Sequence, residues 1–581
     1  MTGKYSNKSL KILGIFFALY LCLIAALYFS NMLNAESTAG VTIFMFSSML
    51  LLMSTGLPIA FSLASVAIIT AMVFQPSLVN MLLFQFKDFS LESGKTLICI
   101  PLFIFMGFIL HNSGIAKDLF DAVYMWSGGL RGGLGMGTVL ICAIMAAMIG
   151  VSSAATLSMG IIAVPAMLAR NYDKRIATGI VQAGGALGFL IPPSIMMIMY
   201  AFVAQESVGR LFAAGMIPGF MLATMYIIFI GVRAYLNPEL APALPKEKRG
   251  SLKEKFLALR YLILPALIIF SVLSCIFTGI TSPTEAAALG AAGALISAAI
   301  RRNLTMENFK KSIMRTLSLS SFNAYIILGA IVFSAVYSGL GASTMIKETI
   351  TGMNVSPWVV IVLMQLSFFI LGMFLDDIAI LFLCMPIYVP IIKHLGFDPV
   401  WFAVLYVMNM QMAYITPPYG LNLFYMKAVA PKEITLSDIY RSIVPFLGLQ
   451  AIGLILLLVF PKIALWLPSL LFDYLQMIMH PDLLFSKLNV LHTYPGLYHV
   501  LIDNPVMLFD AGNMANILGN TKVAELLFSN PSFNDFLLNS PEFPKLLLSE
   551  DWLVQMPEMK EFLINHPVFL EAQPLIKALL P

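Results

Sequence analysis

Two adjacent carboxylates, Asp376 and Asp377, stand inside the apolar stretch from Pro357 to Ile392. An ionised aspartate within a bilayer segment costs at least about 2.5 kcal/mol on insertion scales, so one kept there serves an ion, a substrate or a helix end. Successive residues on a helix point to different sides, so this pair does not make a facing dyad without a second aspartate from elsewhere. Short oxygen-bearing side chains sit at comparable interruptions: Ser152, Ser153 and Thr156 in Gly150–Thr156, Ser194 after Pro192-Pro193, and Thr416 with Asn422 around Pro417-Pro418. Such groups donate to a carboxylate or ligate a hard cation through oxygen. They also cap helices and back-bond to helical carbonyls, and for any single one of them both readings stay open. Glu285, in Ser282-Pro-Thr-Glu285, reads as helix N-terminal chemistry.

The elements that must hold these residues are membrane helices. Of 581 residues, 59% are hydrophobic and 11% charged, with a mean hydropathy of +0.89. Soluble domains carry about 25% charged residues. Apolar runs of about 17 to 25 residues, each long enough to cross a bilayer, recur from Ile12 to Leu470. The first run, Ile12 to Phe29, follows Lys4, Lys8 and Lys11 but has no small-residue cleavage site after it, and reads as a retained helix. The five cysteines are scattered without metal-type spacing. Neither His-Glu-x-x-His nor Gly-x-Ser-x-Gly occurs, so an enzyme is not expected.

An internal repeat organises the chain. Pro58, Pro165, Pro192 and Pro193 recur 225 residues later as Pro283, Pro390, Pro417 and Pro418, and Asp173 and Tyr200 recur as Asp398 and Tyr425. Basic loops at 170–175, 233–260 and 301–315 mark the cytoplasmic side. The repeat counterparts of the first and third lack the excess, so the copies are expected to be inverted. Counting crossings on this basis requires 136–168 and 357–392 to be re-entrant hairpins. It also requires 176–204 and 400–428 to be helices broken at their Pro-Pro pairs, where prolines remove donors and obstruct the helix. Non-helical backbone at membrane depth belongs around a wet cavity, and half-helix ends there suit an anion together with a cation.

The expected fold is an all-α polytopic membrane protein of two inverted-topology repeats with re-entrant hairpins and broken helices, plus a small C-terminal helical extension. Its divisions are an extra N-terminal transmembrane helix (1–40), a first repeat (41–235), a basic cytoplasmic loop (236–260), a second repeat (261–462) and the extension (463–581). That extension holds 5 Lys and Arg against 12 Asp and Glu, while the net charge of the whole is +4. Short His-Pro, Asn-Pro and Ser-Pro units in it start short helices.

Several motifs resemble the large membrane (M) subunit of TRAP transporters, the tripartite ATP-independent periplasmic carriers. They are Gly56-Leu-Pro-Ile-Ala60, Ile100–Gly107, Ser152-Ser-Ala-Ala-Thr156, Gly185–Ser194, Leu211–Gly215 with Pro218-Gly219, Pro283–Ala287, Gly372–Asp376 and Ile415–Leu423, in order over about 420 residues. The resemblance implies a secondary active transporter in the bacterial inner membrane, driven by a sodium gradient and moving its binding domain like an elevator. It implies import of an organic anion such as a C4-dicarboxylate, a small membrane (Q) subunit and a periplasmic substrate-binding protein as partners, and no cofactor beyond sodium as the coupling ion. No nucleic acid is expected. By motif, Ser152, Ser153, Ser194 and Asn422 become candidates for substrate, and Thr156, Asp376, Asp377 and Thr416 candidates for sodium. Asp377 departs from the residue that follows the aspartate in many members. A related ion-coupled anion carrier of elevator fold, working without a binding protein, is the rival reading, and a channel the more distant one.

Overall fold

The computed structural model describes residues 37–79, 97–243, 252–342, 355–417 and 420–474, apart from a few single positions within them, together with residue 345 and scattered positions between 20 and 30. Most of the expected helix at 12–29 and nearly all of the C-terminal extension therefore lie outside the described residues. Two compact units are present, Met1–Pro468 and Ser469–Pro581; described residues of the second form a single π-helical turn, Ser469–Tyr474.

Among the described residues every regular element of the first unit is helical: α1 (Thr38–Ser54), α2 (Ile59–Phe74), α3 (Cys99–Asn112), α4 (Ile115–Ser127), α5 (Gly133–Ile149), α6 (Ser152–Leu168), α7 (Lys174–Ala186), α8 (Ile195–Ala204), α9 (Val208–Leu236), α10 (Leu252–Ala258), α11 (Arg260–Phe277), α12 (Pro283–Ile300), α13 (Met306–Gly339), α14 (Pro357–Gly372), α15 (Asp377–His394), α16 (Pro399–Ala413), α17 (Leu421–Val429), α18 (Leu436–Val459) and α19 (Lys462–Pro468), with two short 3₁₀ turns. Five of them, α9, α12, α13, α15 and α18, are long and apolar enough to cross a membrane. A sixth span arises if α3 and α4, bent by 62° at Ser113-Gly114, are counted together. Gly114 takes φ +82° at that bend, a conformation most side chains resist.

Local chemistry sets the helix starts. Ser282 and Glu285 form a reciprocal capping box at α12, with Pro283 in the first turn where its missing N–H costs nothing. Thr435 and Asp438 do the same for α18. Asp398 caps α16 through Val400 N and Trp401 N, and Asp173 caps α7 through Arg175 N and Ile176 N.

Shifting α6 by 225 gives 377–393, and α15 runs Asp377–His394; shifting α7 gives 399–411, and α16 runs Pro399–Ala413. The same shift carries α8 onto α17 and α2 onto α12 to within a residue, and α9 onto α18 to within three. Packing exchanges partners across the halves. Helix α6 packs on α17 and α15 on α8; α7 packs on α18 and α16 on α9; α2 packs on α13 and α12 on α3. This is the contact pattern that a two-fold relation between the halves produces.

Two packing groups result. Helices α1–α3 and α11–α13 form a frame, drawn together by small residues: a Cβ on Gly329 would come within 2.4 Å of Ala60 O, and one on Gly290 within 2.6 Å of Met106 Sδ. Helices α5–α9 and α14–α18 form the second group, which carries every candidate site residue.

Candidate functional site

Hairpin tips and helix breaks converge in this second group. Helix α5 ends at Gly150, whose φ of +66° and lack of Cβ let it approach Pro193; a Cβ there would lie 2.6 Å from Pro193 O. Helix α6 then resumes at Ser152, so the interruption is shorter than Gly150–Thr156, and Ser152, Ser153 and Thr156 stand within the first turns of a helix. In the second half the chain turns between Gly372 and Asp376, and α15 begins at Asp377.

The broken helices behave as the prolines dictate. After α7 a 3₁₀ turn at Leu187–Phe189 leads into Pro192-Pro193, and Ser194 caps α8. Its hydroxyl donates to Phe189 O at 2.7 Å and accepts from Met197 N at 3.4 Å. Helix α16 stops at Ala413, and α17 begins at Leu421, tied back by Asn422 N to Tyr414 O at 3.1 Å. The Thr416 hydroxyl donates to Met412 O at 2.7 Å, the back-bonding alternative noted above.

A side-chain contact joins the two halves at these breaks. The Asn422 side-chain amide donates to Ser152 Oγ at 2.9 Å, with Asn422 Oδ1 3.3 Å from the same hydroxyl, and both residues are fully buried. Beside this bridge lies a cavity of about 830 Å³. Its walls differ. From the frame come Leu50, Met53, Leu57, Pro58, Leu319 and Phe322, with Asn323 as their one polar companion apart from backbone. The opposite wall carries Ser152, Ser153, Asp376, Asp377, Tyr414 and Tyr425 among apolar residues.

Both aspartates therefore face one cavity, although adjacent helical residues diverge. The physical reason is that Asp376 is not yet helical. As N-cap it has extended backbone (φ −69°, ψ 147°), and its carboxylate accepts from Ile378 N at 3.1 Å. Asp377 is the first helical residue; its carboxylate accepts from the Tyr414 hydroxyl at 2.8 Å, and its carbonyl from the Tyr406 hydroxyl at 2.5 Å. Both the capping role and the cavity position considered for this pair are thus occupied, one residue serving both.

Of the candidates, Ser152, Ser153, Asp376 and Asp377 line the cavity, and Asn422 reaches it through Ser152. Ser194, Thr416 and Thr156 do not line it. The Thr156 hydroxyl is buried against Gly185 and has no hydrogen-bond partner among the described residues. Sequence reasoning passed over Tyr414, Tyr425 and Asn323. Tyr414 stands two residues before Thr416 and was open to notice; Asn323, an amide midway along a long helix, carried no signal of which face it would take.

A family model for the tripartite ATP-independent periplasmic transporter, DctM component, matches residues 46–463. This chain belongs to that family. The C4-dicarboxylate TRAP transporter large permease protein DctM of Pseudomonas aeruginosa is 33% identical over 402 residues, 69% of this chain and 92% of the relative. The sialic acid large permease SiaM of Vibrio cholerae is 29% identical over 73% of this chain and 98% of its own length, and the ectoine large permease TeaC of Halomonas elongata 28% over 74% and 100%. The YdaH transporter of Alcanivorax borkumensis aligns in structure with a TM-score of 0.48 and 15% identity, over 66% of this chain and 88% of that one. This chain is accordingly a transport permease and not an enzyme, a multi-pass protein of the inner membrane. As a TRAP membrane component it works with a small membrane subunit and a periplasmic binding protein.

Proposed function

We propose that this chain is the large permease of a sodium-coupled importer of organic carboxylates, taking substrate from its binding protein into the cavity at the meeting of the two halves. The observation that carries the reading is the Ser152–Asn422 bridge beside that cavity. It joins the first hairpin tip to the second broken helix, so one substrate is held by both halves at once. Ser152 and Ser153 lie at the start of α6, where backbone N–H groups and the positive end of the helix dipole favour a carboxylate.

Sodium suits the oxygen donors present. Asp376 offers a carboxylate, and the Thr156 hydroxyl is a buried oxygen with no partner among the described residues. The second group moves as a body against the frame in this reading, with the two repeats inverted in the bilayer. The nearly apolar frame wall supports sliding, because it has few directional bonds to break along the way. Dicarboxylate, sialic acid and ectoine relatives give the range of carboxylates to test.

The deciding experiment is uptake into proteoliposomes holding this chain, its small subunit and its binding protein, with and without an inward sodium gradient. Saturable uptake that requires both the gradient and the binding protein is expected, and Asp376→Asn is expected to remove the sodium dependence. Uptake unchanged without sodium overturns the coupling; uptake at full rate without the binding protein favours the rival carrier.

A further inference from the structure

The charge of the cavity narrows what it can hold. Its lining includes two carboxylates, Asp376 and Asp377, and, among the described residues, no Lys, Arg or His. Basic side chains near the ends of this group are engaged elsewhere: Lys174 and Arg175 with Asp438, and Lys393 with Glu206. A dianion bound here would meet two carboxylates with no protein cation beside them, each uncompensated charge carrying a heavy desolvation cost. Sodium at Asp376 offsets part of that and leaves Asp377 still to be matched.

The surroundings of Asp377 have a chemistry of their own. Its carboxylate is held by the Tyr414 hydroxyl, and the Tyr414 ring packs edge-on against Phe189, centroids 4.7 Å apart. Phe189, Phe374, Tyr414 and Tyr425 all line the cavity with it. A carboxylate beside aromatic rings is a recognition surface for an organic cation, attracted by the charge and by the ring faces. Ser152 and Ser153 stand on the same cavity at the start of α6.

We infer that the substrate is a zwitterion, its carboxylate at Ser152 and Ser153 and a cationic amine or amidine at Asp377. This rests on the reading of the cavity as the substrate site and narrows that reading from organic carboxylates in general. Asp377 is then the specificity-determining residue, and such a substrate adds no net charge to the two aspartates, where a dianion adds two.

The test uses the purified complex of this chain with its small subunit, in sodium buffer, with thermal unfolding as readout. Probes share a four-carbon chain: succinate, and 4-aminobutyrate and 4-guanidinobutyrate, in which a cationic group replaces one carboxylate. Either zwitterion is expected to stabilise the wild type more than succinate does. Asp377→Asn is expected to weaken that binding about tenfold or more, the loss of one charge-assisted contact, and Asp377→Glu to restore most of it. Each variant is compared with its own unliganded unfolding, so altered folding does not mimic altered binding. Stabilisation by succinate in preference to both zwitterions, no stabilisation by either zwitterion, or zwitterion binding within about twofold of wild type in Asp377→Asn overturns the inference. Ser152→Val separates the two layers. Loss of binding in Ser152→Val but not in Asp377→Asn removes the inference and keeps the cavity, whereas probe binding indifferent to both removes the cavity reading itself.

Discussion

The Ser152–Asn422 bridge permits a quantitative test. Both side chains are fully buried, they are 270 residues apart in sequence, and the amide–hydroxyl contact is 2.9 Å. Replacing Asn422 by Ala strands the Ser152 hydroxyl, and replacing Ser152 by Ala strands the amide. Each exposes one buried polar group to an apolar surrounding without its partner, at about 1–3 kcal/mol. Removing both together strands neither, so the double variant is expected to lose less than the sum, with an interaction energy of about 1 kcal/mol or more. A difference of about 1.4 kcal/mol is tenfold in an equilibrium constant, well within reach of denaturant unfolding of the purified complex. Measurement without substrate keeps the structural bond apart from any contact with ligand. Uptake measured in parallel is expected to fall in each single variant, because hairpin tip and broken helix no longer share a fixed position. Additivity of the two single variants to within about 0.5 kcal/mol would mean that the bridge does not couple the halves, and the argument built on it would fall.

Three further perturbations follow from close contacts. A Cβ on Gly185 would sit 2.1 Å from Thr156 Oγ1 and 3.0 Å from Thr156 N, so Gly185→Ala is expected to destabilise the α6–α7 packing by about 1–3 kcal/mol, with Thr156→Ala relieving only the side-chain part; unfolding midpoints of the single and double variants check this. At the first hairpin tip, Gly150→Ala combines a φ of +66° with a clash at Pro193 O, and a marked fall in folded yield by size-exclusion chromatography is expected, with wild-type yield counting against the close approach. Tyr414→Phe removes the 2.8 Å bond to Asp377 and is expected to cost about 1.5–3 kcal/mol if that carboxylate is ionised, read as lower stability of the unliganded complex; a change below about 0.5 kcal/mol would show that Asp377 does not depend on it.

Periodicity and punctuation in the chain were enough to mark the helices and their interruptions. Helices break around the Pro-Pro pairs at 192–193 and 417–418, where two successive prolines remove amides that a helix interior needs and crowd the residue before them. Ser282 and Glu285 fixed a helix start for the same kind of local reason. Family membership was equally legible, carried by short motifs around those breaks and now by a match over residues 46–463.

Which oxygens meet was a different matter. Ser152, Thr156, Ser194, Thr416 and Asn422 look alike on paper, short polar groups at breaks, yet two of them bond to each other across the halves, two satisfy carbonyls four or five residues back, and one has no partner among the described residues. A hydroxyl's choice between its own helix and a distant partner depends on tenths of an ångström that only packing sets. Asp376 and Asp377 share a cavity because one lies just outside the helix and the other just inside, a distinction of backbone angle invisible in the letters. Asn323 joins the same cavity from the frame through the rotation of a single long helix. Among the described residues, sequence alone therefore determined where the chain is helical and where it breaks, and it determined what family the chain belongs to, since those depend on local covalent chemistry. Only the tertiary structure decided which breaks face one another, because that is set by the close packing of helices hundreds of residues apart.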